Sequence, residues 1–228
     1  MAQIGYVEWQ AYAESFAFFG NSLFGTMRRT PKVSFRKNFW SKFPTFGSDT
    51  VSDACAAMEA CVAKMGSVED PTAQIAAEYE LLFVGSPKPA AAPYESLYRS
   101  EKGGEASIEL ASDSISSDEG PSQSALEMRE LLHSAGLELK NVNNQPEDHM
   151  GIELLFLSVL CTRIAQGDVP DAVPAEPEDV LHFIEAHPLA WVDAFGEAVA
   201  AAAPGGYFDC MLGITSALLK TLHTELTS

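Results

Sequence analysis

The stretch NQPEDHMGIELLFLSVLCTRIAQG, residues 144–167, carries the longest apolar run of the chain, and how it is read decides the fold. Its apolar residues continue past the length of an ordinary strand, which favours a helix. Pro146 suits a first helical position, because the N–H it lacks would be orphaned there. Gly167 suits the left-handed residue on which helices often stop. The expected helix therefore runs over 146–166, with Asn144 or Gln145 as its cap. The apolar core of the stretch, Met150 to Cys161, contains Glu153 and falls short of the ~20 residues that cross a bilayer. It belongs inside a protein, and no integral membrane segment is expected.

The same start and stop signals recur on either side. Asp70-Pro71 predicts an N-cap and first helical residue, with Ile75, Tyr79, Leu82 and Phe83 along one apolar side and Gly85 as the stop. Further helices are expected over 121–135, closed by Gly136, and over 177–186, 188–203 and 207–226. Upstream, residues 3–23 place Val7, Tyr12, Phe16, Phe19 and Leu23 on one side before Gly25. Thr50 and Asp53 have capping-box spacing ahead of a helix that reaches Met65, with Gly66 beyond it. Runs of alternating β-branched residues are nearly absent. The expected fold is all-α, one compact bundle of roughly eight to ten helices spanning 1–228. The Pro/Ala-rich segment 86–93 and SDSISSDEG at 112–120 bury too little apolar area to order themselves, so both read as loops, with a hinge or flexible loop at 99–120.

With 228 residues and 46% hydrophobic positions the chain can build a sizeable core. Fourteen Lys and Arg against 32 Asp and Glu leave a net charge of −18, which repels phosphate backbones and argues against nucleic-acid binding. Six of the basic residues (Arg28, Arg29, Lys32, Arg36, Lys37, Lys42) cluster with Phe35, Phe39 and Trp40. That cluster reads either as a segment pairing with the acidic body or as a contact patch for a partner. Arg28-Arg29 cannot itself act as an export signal, since Thr30-Pro31-Lys32 follows instead of an apolar stretch. No basic region precedes an apolar one near the N-terminus, so no secretory leader is expected.

The four cysteines form no C-x-x-C pair, which suggests reduced thiols in a cytoplasmic protein, and none stands at an evident electropositive helix start. Neither G-x-S-x-G nor a P-loop occurs. Glu130-x-x-His133 and Asp179-x-x-His182 are partial motifs that fall short of a bundle metal site. The expectation is a binding protein rather than an enzyme, with no metal and no cofactor.

Two segments concentrate binding chemistry. In the first, Glu147 and Asp148 complement the positive end of the helix dipole, while His149 is out of place there as a cation. His149 and Glu153, spaced i, i+4, can bond each other, orienting a ligand or merely satisfying themselves. In the second, residues 78–98, a helix end exposing Leu82 and Phe83 leads through a proline-stiffened loop to Tyr94, Ser96 and Tyr98. Those rings either line a peptide groove or pin the loop to the bundle.

LLFVG (81–85), a proline-rich loop, PYESLY (93–98) and then NQPEDHMGIELLFLSVL (144–160) together resemble the TorD/DmsD family, related to NarJ. HPLAWVDAF (187–195) extends the likeness more diffusely, as a helix start with a buried tryptophan; residues 1–70 match only in helical character. The resemblance implies a cytoplasmic, all-helical, TorD-like chaperone for a molybdopterin oxidoreductase. Such a chaperone binds the catalytic subunit's twin-arginine leader peptide until cofactor insertion and export. The family's Leu-Phe falls on Leu82 and Phe83, its aromatic-x-Ser-x-aromatic on Tyr94, Ser96 and Tyr98, and its Pro-x-Asp-His on Pro146, Asp148 and His149. Several members carry tryptophan where this chain has Tyr94. A receptor for two guanidinium groups and an apolar helix should supply carboxylates beside an apolar groove, and Glu147 and Asp148 are the candidates. Burial of three or four client side chains, less the ordering cost, implies an affinity on the order of micromolar. A homodimer or domain-swapped form is left open, and the alternative function is a helical adaptor using the 28–42 patch.

Overall fold

The computed structural model describes residues 4–24, 31–36, 38–66, 69–85, 87–99, 120–139, 145–167 and 172–228. Among them the chain is all-α, without a strand. The helices are α1 (Tyr6–Leu23), the short turn α2 (Pro31–Ser34), α3 (Asp49–Met65), α4 (Pro71–Tyr79) and α5 (Gln123–Ser134). They continue with α6 (Met150–Gln166), α7 (Pro177–Ala186), α8 (Pro188–Ala202) and α9 (Tyr207–Thr227). The expected Gly25 stop, the Arg28-Arg29 pair, the Asn144 cap and the loop at 100–119 lie outside the described residues.

Helix α6 is the central element, with Met150, Ile152, Leu154, Phe156, Leu157, Leu160 and Cys161 all buried. Its closest partner is α1, and glycine makes that approach possible. A Cβ on Gly20 would stand 2.9 Å from the Gly151 carbonyl oxygen, and one on Gly151 would stand 3.0 Å from the Gly20 carbonyl oxygen. Helix α9 packs on α3, α7 and α8 through Leu212, Leu218, Leu219 and Leu222. Its first amides are satisfied by Glu78, which accepts from Phe208 N at 2.8 Å and Tyr207 N at 3.1 Å.

Several element boundaries depart from the expected ones for local reasons. Val7 is 75% exposed and Trp9 is buried in its stead; five residues before Tyr12, Val7 falls off a three-to-four-residue stripe. Helix α3 is capped by Ser48, whose Oγ accepts from Val51 N, rather than by Thr50. Ser122 caps α5, so Pro121 lies before the cap. Asp70 caps α4 as expected, accepting from Ala73 N at 3.0 Å. Beyond Tyr79 that helix widens into a π-helical turn, Glu80–Val84. The turn ends at Gly85, whose φ of +32° and crowding against Lys88 O make a side chain unfavourable.

The basic-aromatic segment turns its rings inward. Trp40 is buried among Phe18, Phe19, Phe39 and Phe43, and Phe35 stacks on Tyr207. Trp40 and Phe43 are thus part of the core, while Phe35 and Phe39 are half-buried against it.

Candidate functional site

The structure brings the 93–98 segment and the start of α6 into direct contact. Met150 N donates to Pro93 O and Glu95 N to Asp148 O, both at 2.9 Å, so Tyr94 and His149 form an isolated antiparallel bridge. Residues 95–97 form a single 3₁₀ turn that lies as a strap across the helix start.

Helix α6 begins at Met150, four residues later than the position of Pro146 suggests, so Pro146, Glu147 and Asp148 precede the helix. Asp148 is buried, and its Oδ2 accepts from Ser96 N and Ser122 Oγ, both at 3.1 Å, instead of from α6 amides. His149 takes the cap: its Nδ1 accepts from Gly151 N at 2.9 Å. A ring nitrogen accepts only when unprotonated, and burial holds this imidazole down at a pKa of about 3. The ring stacks on Phe24 at 4.8 Å and meets Tyr94 edge-on at 5.4 Å. The dipole objection to His149 therefore does not arise, since it is neutral.

The expected His149–Glu153 bond is absent. Glu153 is fully buried and its Oε2 accepts from Trp191 Nε1 at 3.1 Å. Burial, reinforced by the nearby Glu95 charge, holds its carboxyl well above the usual range. Glu95, also fully buried, titrates the other way. Burial alone would raise it, yet hydrogen bonds from His187 and Arg99 hold it below the usual range. His187 Nδ1 lies 3.0 Å from Glu95 Oε2; Arg99 bonds the other oxygen and also donates to Ala186 O at 2.7 Å. Tyr98 stacks on Trp191 with centroids 5.5 Å apart. The strap is thus locked to α6, α7 and α8 by an interior hydrogen-bonded network.

The ten expected residues divide by exposure. Asp148, His149 and Glu153 are interior, as are Leu82 and Phe83; on the π turn the exposed apolar residues are instead Leu81 (54%) and Val84 (50%). Ser96 and Pro146 are exposed, while Tyr94, Tyr98 and Glu147 are half-buried. Tyr94 OH donates to Gln145 Oε1, and Glu147 pairs with Arg129 Nε at 2.9 Å. None of the ten lines either of two surface hollows, one of about 570 Å³ between Trp9, Ile164, Leu181 and Leu226, the other of about 410 Å³ between Phe156, Leu160, Phe183 and His187. Sequence reasoning missed Glu95, His187, Arg99 and Ser122. The available signal was Glu95 itself, a charge set between two aromatic positions in PYESLY.

A family model described as nitrate reductase delta subunit matches residues 48–197, which include all ten. A chaperone protein TorD of Aliivibrio fischeri is 29% identical over 166 residues, 72% of this chain and 70% of that protein. The TorD chaperone of Photobacterium profundum is 27% identical over 152 residues, 67% of this chain and 63% of that protein. That of Vibrio cholerae serotype O1 El Tor is 31% identical over 129 residues, 57% of this chain and 51% of that protein. The chain thus spans about half to 70% of the length of these relatives.

Proposed function

The chain belongs to the TorD/NarJ family, described by its model as nitrate reductase delta subunit, and on that premise we propose that it is a maturation chaperone for a molybdopterin-containing oxidoreductase. It binds the client's twin-arginine signal peptide and holds the apoenzyme until cofactor insertion and export. The surface proposed to meet the peptide is the edge formed by Tyr94, Ser96, Tyr98, Pro146 and Glu147. Asp148, His149, Glu153, Leu82 and Phe83 fix that edge from within.

The observation that carries the reading is the Glu147–Arg129 pair. Its guanidinium is 54% exposed while the carboxylate is only 18% exposed. An exposed ion pair contributes only ~0–1 kcal/mol, so a client guanidinium can displace Arg129 at little cost and take over its carboxylate partner. The interior location of Asp148 gives it a positioning role, with the contact made by Glu147.

The test is calorimetric titration of the chain with a synthetic twin-arginine leader peptide at low salt. Binding on the order of micromolar is expected, with loss when both arginines become glutamine. Glu147→Gln should weaken binding roughly tenfold, about 1.4 kcal/mol, with an unchanged melting temperature. Binding that ignores the arginine pair would overturn the reading.

A further inference from the structure

Helices α3 and α9 pack side by side, and each contributes a cysteine to the same spot. Cys210 Sγ lies 3.9 Å from Ala57 O, one helical turn before Cys61 on the same face of α3. Each of these two thiols is the largest influence on the other's ionisation, which places them side by side across the α3–α9 seam. Cys61 is buried, Cys210 is half-exposed, and all four cysteines are free thiols. Nothing in the proposed chaperone role uses this pair.

We propose that Cys61 and Cys210 form a peroxide-responsive dithiol, closing reversibly into a disulfide that staples α3 to α9. With Cys210 Sγ 3.9 Å from Ala57 O, one turn before Cys61, side-chain rotation can bring the two sulfurs to the S–S bond length of about 2.05 Å. Their unequal exposure assigns the roles. Cys210 is reachable from solvent, and the neighbouring Cys61 thiol favours its thiolate, lowering its pKa although burial and the Asp209 and Glu78 charges oppose this. The Cys210 thiolate attacks one oxygen of hydrogen peroxide, the O–O bond breaks, and hydroxide leaves, giving a sulfenic acid. Cys61 sulfur then attacks the sulfenic sulfur, the S–O bond breaks, and the displaced hydroxide takes up the thiol proton as water. Overall two thiols lose two electrons and two protons to the peroxide, which becomes two waters. A small-molecule dithiol reverses the step by exchange. Cys55 and Cys161 serve as internal controls: both are buried, Cys161 lies on α6, and Cys55, six residues before Cys61, faces another side of α3.

The test treats the reduced, full-length chain with hydrogen peroxide, alkylates it under denaturing conditions and maps the cysteine peptides by mass. The expected product is a monomer that has lost two hydrogens, with Cys61 and Cys210 peptides joined, Cys55 and Cys161 alkylated, and a higher melting temperature that dithiothreitol returns to its starting value. Cys210→Ser should keep its three remaining thiols alkylatable. Cys61→Ala should leave a dimedone-reactive Cys210. Should Cys61→Ala fail to fold, the wild-type map and Cys210→Ser still decide the matter. Four intact thiols after peroxide, disulfide-linked dimers only, or wild-type Cys210 passing directly to sulfinic acid would each overturn the proposal.

Discussion

At the scale of single residues, two buried groups answer to pH in opposite ways. His149 titrates at about 3 in the fold against 6.5 for a free imidazole. The unfolded chain therefore takes up a proton near pH 6.5 while the native ring stays neutral. The stability this gives is complete above that pH and declines as pH falls towards 3. Protonation would also remove the acceptor that caps α6. The ring carbon proton of His149 should show no shift change between pH 7 and pH 5 in an NMR titration; a His149 midpoint near 6 would contradict the cap. Glu153 carries the opposite sign, because its folded carboxyl is held well above 4.5. Once pH exceeds that unfolded value the native state must retain a proton that the unfolded state has lost, so stability declines as pH rises. Glu153→Gln keeps a neutral acceptor for Trp191 and removes that decline. Its melting temperature should match the wild type near pH 4 and exceed it by a growing margin towards pH 8, and superimposable profiles would show that Glu153 is ionised in the fold.

At the scale of helices, what the sequence discloses depends on whether the decisive contact is local. Asp70 caps α4 through an amide three residues away, so its chemistry and position both stand in one short window. The start of α6 does not. The Asp148 carboxylate is claimed by Ser96 and Ser122, 52 and 26 residues distant, and the turn that results pushes the helix start beyond Pro146. The Glu95–His187 pair spans 92 residues; the charge between two aromatics in PYESLY marks one end, but nothing local ties it to His187. The apolar stripe of α1 is readable by periodicity throughout, since Trp9, three residues before Tyr12, lies on it and Val7, five before, does not. Glycine tests the same distinction. At Gly151 a Cβ meets Phe24 at 2.9 Å as well as Gly20 O, so Gly151→Ala should cost about 1–3 kcal/mol and separate α1 from α6. Gly213 on α9 has nothing within 4 Å of its added Cβ, so Gly213→Ala should stabilise by about 0.5–1 kcal/mol. Urea denaturation of both variants measures the contrast, and equal effects would mean that close approach does not govern the α1–α6 crossing.

At the scale of the whole molecule, the net charge of −18 and the single carboxylate of Glu147 make separable contributions to capture of a cationic leader. A field summed over many surface acids acts at a distance and raises the frequency of encounter, while an oriented carboxylate acts after docking and lengthens residence. Salt shortens the screening length from about 10 Å at 0.1 M to about 3 Å at 1 M, so it erodes the first contribution far more than a close, partly buried contact. Stopped-flow binding of a labelled leader peptide should therefore show an association rate that drops steeply with added sodium chloride, equally in wild type and Glu147→Gln. The dissociation rate should change little with salt but rise in the variant. If Glu147→Gln altered only association, Glu147 would be one more member of the acidic surface, and the edge at 94–98 and 146–147 would lose its claim to contact the arginines directly.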